Sequence, residues 1–166
     1  MGMLAYTFLI RKLQDCWDMS GITRDVYLYC GPEIRLRDFF VRCDLDAQYT
    51  DAKFKVDLDI RNHTLKHTTM NNVHVSLYDA RDETVLALKR EGFDVLSHES
   101  HVVHFSEAVS QPSKWSPESP YLYKIIISLN NKQWFVTNFG FRKMEIKNGD
   151  LLLNGQRVYI KVRQGD

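Results

Sequence analysis

The stretch that decides the fold reads Lys53-Phe54-Lys55-Val56-Asp57-Leu58-Asp59-Ile60-Arg61. Every second residue from Phe54 to Ile60 is apolar, and the residues between them are charged. Successive side chains on a strand point to opposite faces, so this order gives one apolar face and one charged face. The stretch therefore predicts a β-strand with one face on a core and the other in water.

The same period of two recurs along the chain and indicates further strands. The candidates are Val73-His74-Val75-Ser76-Leu77-Tyr78, Thr84–Leu88 and His101–Val109. Nearer the start of the chain, the pattern predicts Leu36 and Phe39 on opposite faces of a strand, and its phase becomes ambiguous at Phe39-Phe40. No stretch keeps a period of 3.6 residues over three turns, which is what a helix would show.

Two turn signals fix how the later strands pair. Asn130-Asn131-Lys132 separates the candidate strands Tyr123–Leu129 and Gln133–Phe139, and Asn tolerates the positive φ of a tight turn. Asn154-Gly155, the strongest two-residue hairpin signal, separates Leu151–Leu153 from Gln156–Lys161. Strands spaced in this way, with polar turns between them, predict an antiparallel β-sandwich.

Charge and hydropathy exclude two classes of partner. The 22 basic and 21 acidic residues are spread along the chain, so no basic stripe for a phosphate backbone is present and no nucleic acid is expected. The apolar run Leu4–Ile10 is much shorter than the ~20 residues of a membrane span, so no membrane is expected either. Arg11 and Lys12 follow this run, whereas the charges of a signal peptide precede its apolar region.

The cysteines indicate the redox environment. Cys16, Cys30 and Cys43 cannot all pair with one another, and their spacing matches no CxxC metal pattern. We interpret them as thiols of a reducing compartment, which favours a cytoplasmic location.

Four segments in a fixed order resemble the large β-galactosidases of glycoside hydrolase family 2. They are Trp17-Asp18-Met19-Ser20-Gly21-Ile22-Thr23-Arg24-Asp25-Val26, Trp115-Ser116-Pro117-Glu118-Ser119-Pro120-Tyr121-Leu122-Tyr123, Gly140-Phe141-Arg142-Lys143 and Leu153-Asn154-Gly155. The resemblance covers about residues 15–161. It implies an immunoglobulin-like β-sandwich of about seven strands plus a C-terminal β-hairpin. In the family this domain joins a sugar-binding jelly roll to a catalytic TIM barrel.

The resemblance also divides the chain into three parts. Residues 1–31 resemble the tail of the preceding jelly roll and a linker, residues 32–143 form the sandwich, and residues 144–166 hold the hairpin that leads into the barrel in the family. The sequence departs from the family pattern before Gln14 and after Lys161, which predicts a truncated or frame-disrupted reading frame, or a piece cut from one. No segment matches the barrel, so the resemblance implies a chain without the catalytic glutamates.

The resemblance implies one residue of this chain that would contact a metal ion and a sugar. Asp15 matches the family aspartate that helps to hold a sodium ion and the 6-hydroxyl of the sugar. The family uses sodium and magnesium, but the remaining ligands belong to the barrel, so no cofactor is expected for this chain. The other positions of interest are interpreted as structural: Trp17, Gly21, Arg24, Trp115, Tyr123 and Arg142. Trp115 is expected to be buried at the open end of the sandwich, and the Tyr123 hydroxyl to bond upstream backbone, unless Tyr123 is simply a core aromatic.

Two local clusters of residues resemble metal sites, but their spacing does not suit a metal ion. Asp44, Asp46 and Asp51 lack the glycine and the ligand order of a calcium loop, so solvated turn residues are expected. His101 and His104 are three residues apart beside a strand, where they project to opposite faces and cannot share a zinc ion.

The sequence thus predicts a non-catalytic scaffold whose partners are the jelly-roll and barrel domains, with self-association through the N-terminal run or the 151–161 hairpin. The alternative is a free-standing carbohydrate-binding or adhesion module. That alternative requires exposed aromatic platforms, for which Trp115, Tyr121 and Trp134 are the candidates.

Overall fold

The computed structural model describes residues 25–28 and 31–158. The chain divides into two compact units, Met1–Gly31 and Pro32–Asp166. The described part of the second unit consists of ten strands and contains no helix, and so no helix that could cross a membrane. The strands are β1 (Ile34–Leu45), β2 (Ala52–Asn62), β3 (Thr68–Tyr78), β4 (Thr84–Val95), β5 (Ser100–Val109), β6 (Tyr123–Leu129), β7 (Gln133–Phe139), β8 (Met144–Lys147), β9 (Asp150–Leu153) and β10 (Gln156–Arg157).

Seven strands form two antiparallel sheets, which confirms the predicted sandwich. The first sheet has the order β1-β2-β5 and the second the order β4-β3-β6-β7. The remaining strands, β8 to β10, form a small third sheet with β9 in the middle. The sequence predicted only a hairpin there, because the four residues of β8 are too few to show a period.

The core lies between the first and second sheets. The inward side chains of β2, from Phe54 to Ile60, are fully buried and alternate with partly exposed charged residues, as the opening stretch predicts. Across the core, β3 and β6 contribute Val75, Leu77 and Ile125, each also without appreciable exposure. Burying one such side chain stabilises the fold by about 1.5–3 kcal/mol, so the apolar alternation is the main determinant of the sandwich.

The predicted phase of β1 is wrong, and a β-bulge is the reason. Leu36 pairs with Ile60 and Asp38 pairs with Asp59, so Arg37 is an extra residue without a partner on β2. The extra residue reverses the alternation, and Phe39 packs inward against Phe135 with ring centroids 6.3 Å apart. Leu36 and Phe39 therefore face the same core, although they are an odd number of residues apart.

Strand β4 is longer than the predicted Thr84–Leu88 and continues to Val95. Its central residues Lys89, Arg90 and Glu91 are all exposed, so they show no alternation in the sequence. Gly92 then adopts a φ of 69° beside a register shift, after which Phe93 and Val95 return to the core. The apolar alternation resumes only at Phe93 and ends at Val95, so the sequence did not indicate that these residues continue the strand that begins at Thr84.

Both predicted turns are confirmed. Asn130 and Asn131 each have a φ of 51°, and they join β6 to β7 with the predicted strand boundaries. Asn154 and Gly155 have φ values of 50° and 80° and join β9 to β10. Asn and Gly occupy this left-handed region with the least strain, so the turn residues select the hairpins. The predicted extension of β10 to Lys161 lies outside the described residues.

Candidate functional site at the end of the sandwich

Three of the predicted site residues lie together at one end of the sandwich. Tyr123 begins β6, Arg142 follows β7, and Trp115 lies in the loop between β5 and β6. Phe141 connects them: its ring lies 5.0 Å from that of Tyr123, and its carbonyl oxygen accepts a 2.9 Å hydrogen bond from the Trp115 amide. The other predicted positions, Asp15, Trp17, Gly21 and Arg24, lie outside the described residues.

Phe141, and not Trp115, fills the open end of the sandwich. Phe141 is fully buried and makes edge-to-face contacts with Phe139 and Tyr123. Trp115 is only partly buried, which corrects the prediction that it is buried. The residue before it, Lys114, forms a parallel bridge with Phe141, and Trp115 itself forms an antiparallel bridge with Pro120.

Trp115 is held between a glycine and an arginine. A Cβ atom on Gly140 would lie 2.7 Å from the Cβ of Trp115, so only glycine permits this approach. The Arg142 guanidinium carbon lies 4.8 Å from the centroid of the indole ring, a distance that allows a cation–π contact. Among the described residues Arg142 thus contacts an aromatic ring and not a carboxylate, and its carbonyl oxygen accepts a 3.4 Å hydrogen bond from the Cys43 thiol.

The Tyr123 hydroxyl binds upstream backbone. It accepts a 2.9 Å hydrogen bond from the amide of Ser113, ten residues earlier. Burial raises the pKa of Tyr123, so the hydroxyl stays protonated over the neutral range. Its neighbour Tyr121 makes a similar bond, accepting at 3.1 Å from the amide of Ala80. The Tyr123 hydroxyl thus binds the backbone of the loop before β6, and the Tyr121 hydroxyl binds the backbone of the turn after β3.

Asn154 links the third sheet to this end of the sandwich, whereas the sequence pattern predicted only that it is a turn residue. Its side-chain amide donates to the Trp115 carbonyl at 3.0 Å, and its side-chain oxygen accepts from the Lys143 amide at 3.0 Å. Its own backbone amide donates to the Lys143 carbonyl at 2.9 Å. No local pattern in the sequence signals these bonds, because their partners lie up to 39 residues away.

A second link joins Tyr49 to the third sheet. The Tyr49 hydroxyl donates to the Glu145 carboxylate, and a Cβ atom on Gly155 would lie 2.6 Å from the edge of the Tyr49 ring. The hydrogen bond lowers the pKa of Glu145, because it stabilises the charged carboxylate. The same bond raises the pKa of Tyr49. We refer to Tyr49, Trp115, Phe141, Glu145 and Asn154 with their partners as the junction.

Two carboxylates outside the junction, Asp57 and Asp59, form ion pairs on the surface. On the outer face of the first sheet, Asp57 contacts Arg42 at 2.8 Å and His104 at 2.6 Å, and Asp59 contacts Arg37. Glycosidases need two carboxyl groups on either side of a bound sugar, one of them protonated. Asp57 and Asp59 lie side by side on one face of β2, which is not that arrangement.

The three aspartates in and beside the β1–β2 turn have structural partners. Asp46 accepts a 2.7 Å hydrogen bond from the Thr50 amide, Asp51 accepts one of 3.0 Å from the Gln111 amide, and Asp44 pairs with Lys55. His101 stacks on Phe93 inside the sandwich, whereas His104 lies outside, so the two histidines face opposite ways as expected. Within residues 25–28 and 31–158, no group of three or more His, Cys, Asp or Glu side chains could hold a metal ion.

These features define the chain as an all-β, immunoglobulin-like sandwich domain with a small sheet tied to one end. The model of the family described as glycosyl hydrolases family 2 matches residues 34–142. The chain belongs to this family.

Relatives and solved structures agree with this assignment. The β-galactosidases of Priestia megaterium and Vibrio cholerae are each 38% identical over 153 and 158 residues, which are 89% of this chain and 15% of theirs. A β-glucuronidase structure from Parabacteroides merdae is 25% identical with a TM-score of 0.61, covering 76% of this chain and 16% of that one. A family 2 structure from Bacteroides cellulosilyticus has a TM-score of 0.67 at 20% identity, covering 77% and 17%, and supports the fold alone. The chain therefore spans about 15% of the length of the relatives that it matches.

Proposed function

We propose that this chain is the non-catalytic sandwich of a β-galactosidase-like glycoside hydrolase. In this role it holds a sugar-binding jelly roll and a catalytic barrel in a fixed orientation and carries out no reaction itself. The observation that carries the proposal is the junction. The third sheet is fastened to the sandwich by the Asn154 bonds on one side and by the Tyr49–Glu145 bond on the other.

Two separate attachments restrain a small sheet more than one does. A single hydrogen bond would allow the third sheet to pivot about it, whereas Asn154 and Glu145 are bonded to different parts of the sandwich. The sandwich would then fix the orientation of a domain that follows the third sheet. This property is what a scaffold between two domains requires, since catalytic groups must be held to within a fraction of an ångström.

The alternative, a free-standing carbohydrate-binding module, has less support. Of the three candidate rings, Tyr121 packs against Tyr123, and Trp115 is covered by Arg142. Only Trp134 is largely exposed, at 63%. Sugar platforms need rings that are open to solvent and close together, and these three do not form one.

The proposal is tested by exchanging the matching segment of the Priestia megaterium β-galactosidase for this chain. We expect the chimera to hydrolyse a chromogenic galactoside, and the isolated chain to hydrolyse none. Asn154→Ala should lower the activity of the chimera, whereas Asn148→Ala, in the neighbouring Asn-Gly turn, should leave it unchanged. Asn148 has a φ of 54° and is a matched control, since its side chain makes no hydrogen bond within the described part of the chain.

Two results would contradict the proposal. Hydrolysis by the isolated chain that is abolished by Asp15→Asn would make it an enzyme. Equal activity of the Asn154→Ala and Asn148→Ala chimeras would show that the fixed third sheet is irrelevant to the scaffold role.

A further inference from the structure

Strand β7 differs from the other three edge strands of the described sandwich. Edge strands present unpaired backbone groups, and natural proteins protect them with charges, prolines or bulges. Strand β1 carries a bulge at Arg37, β4 carries Lys89 to Glu91 and Gly92, and β5 carries Glu107. The sequence of β7, Gln133-Trp134-Phe135-Val136-Thr137-Asn138-Phe139, contains no charge and no proline, and its pairing with β6 has no register shift.

The outward side chains of β7 are also apolar and exposed. Trp134 is 63% exposed and Val136 is 65% exposed, on the face that points away from the core. Ile126, opposite Val136 on β6, extends the same apolar surface towards the middle of the sheet. An unprotected edge beside an exposed tryptophan and valine is the composition of an interface and not of a solvated surface.

The structure shows which part of this edge is open. At one end the Gln133 side-chain oxygen accepts a 3.1 Å hydrogen bond from the Leu36 amide, so β1 covers that end. At the other end the pairing of β7 with β6 stops at Phe139, the partner of Tyr123. Among the described residues, the stretch of this edge without a strand partner is therefore Trp134–Asn138, and its middle residue is Val136.

This stretch is complementary to itself. If two copies pair in antiparallel fashion about a two-fold axis at Val136, Trp134 lies opposite Asn138 and Phe135 lies opposite Thr137. No like charges meet, and the outward side chains of both copies share one face. The pairing also satisfies the outer backbone groups of β7, for which the described strands offer no partner, since β7 is bonded to β6 on one side only.

We infer that β7 pairs with β7 of a second copy of this chain, which joins two four-stranded sheets into one continuous sheet. The contact is isologous and therefore closes as a dimer. Growth at the opposite edge is blocked, because the charged residues and the Gly92 bulge of β4 oppose further pairing. This surface differs from the N-terminal run and the 151–161 hairpin that the sequence suggested.

The first test measures the sedimentation of the full chain from micromolar to millimolar concentration. We expect a monomer–dimer equilibrium in the native chain. Val136→Lys places two like charges at the axis and should raise the dissociation constant at least tenfold, and Trp134→Lys should do the same. Val102→Lys changes an exposed valine of edge strand β5 and should have no effect. Circular dichroism of each variant should match that of the native chain, because all three side chains lie outside the core.

The second test determines the register in which the β7 strands of the two copies pair. In a background with Cys16, Cys30 and Cys43 replaced by serine, Val136→Cys should form a disulfide-linked dimer on mild oxidation. Directly opposed residues of antiparallel strands have Cβ atoms about 4.5–5.5 Å apart, close enough for a disulfide after a small adjustment. Asn138→Cys should form far less, because its partner across the axis is Trp134. A monomer at millimolar concentration, a dimer insensitive to Val136→Lys, open-ended aggregates, or equal cross-linking at both positions would overturn the inference.

Discussion

The side-chain amide of Asn154 donates a hydrogen bond of 3.0 Å to the carbonyl oxygen of Trp115. This bond connects the turn of the third sheet to the loop that crosses the end of the sandwich. The same side chain accepts from the Lys143 amide, so Asn154 satisfies a donor and an acceptor that belong to two different segments. A residue that a hairpin needs for its φ angle thus also fixes where the hairpin lies.

Asn154→Ala should destabilise the third sheet more than Asn148→Ala. Both residues precede a glycine in a turn, with φ values of 50° and 54°, so both variants introduce the same backbone strain. Only Asn154→Ala leaves the Lys143 amide and the Trp115 carbonyl without a partner, which costs about 1–3 kcal/mol. Hydrogen exchange of the Leu151–Leu153 amides, together with urea unfolding, measures the difference. Equal effects of the two variants would show that the side-chain bonds contribute nothing.

Gly140→Ala should displace Trp115. The new methyl group would lie 2.7 Å from the Trp115 Cβ and 3.0 Å from its Cγ, and neither atom is the free end of a flexible chain. We expect a loss of about 1–3 kcal/mol of stability and a changed near-ultraviolet circular dichroism spectrum. Gly92→Ala is the control: no atom lies within 4 Å of its added Cβ, but its φ is 69°, so any effect comes from the backbone. An unchanged tryptophan signal in Gly140→Ala would contradict the packing described.

The Tyr49–Glu145 bond should stabilise the protein between about pH 5 and about pH 10. The bond lowers the pKa of Glu145, so its contribution is present above the ordinary carboxyl pKa and is lost as the pH falls through the lowered value. The bond raises the pKa of Tyr49, so on the alkaline side the contribution is lost as the pH rises through the raised value. Tyr49→Phe removes the bond but keeps the ring beside Gly155.

Urea unfolding midpoints of the native chain and Tyr49→Phe, measured from pH 2 to pH 11, check this prediction. The difference between the two proteins should be largest near neutral pH and should shrink at both ends of the range. The same comparison is made in the Glu145→Gln background, with and without Tyr49→Phe. There the difference should no longer decrease at low pH, because the glutamine amide does not titrate. A difference independent of pH in the native background would be inconsistent with an ionised acceptor.

Tyr123→Phe should destabilise the sandwich by about 1–2 kcal/mol, because the amide of Ser113 loses its acceptor in a partly buried site. Tyr121→Phe removes the similar bond to Ala80 in a more exposed site, where water can replace the hydroxyl, so its effect should be smaller. Thermal unfolding of the two variants gives the comparison. A larger loss in Tyr121→Phe than in Tyr123→Phe would reverse the assignment of Tyr123 as the structural hydroxyl.

Local patterns in the sequence predicted those parts of the fold that depend on the conformation of a few neighbouring residues. The alternation of β2 follows from the two-residue period of any strand, and the Asn130 and Asn154 turns follow from the φ values that asparagine tolerates. The longer β4 and the bulge at Arg37 could not be predicted in this way. An exposed edge needs no apolar alternation, and a bulge shifts the period by one residue without leaving a mark in the composition.

The sequence by itself determined the all-β class and the two hairpins, because strand period and turn residues are local properties, and it determined the family, because the order of motifs is read along the chain without any knowledge of the fold. Only the tertiary structure decided the roles of Phe141, Asn154 and Glu145, whose partners are distant along the chain; Tyr49 and Glu145 are 96 residues apart. It also decided that β7 lies at an edge, and so that Trp134 and Val136 are exposed. The order of strands in a sheet is set by the summed long-range packing of all of them, which no single stretch of sequence contains.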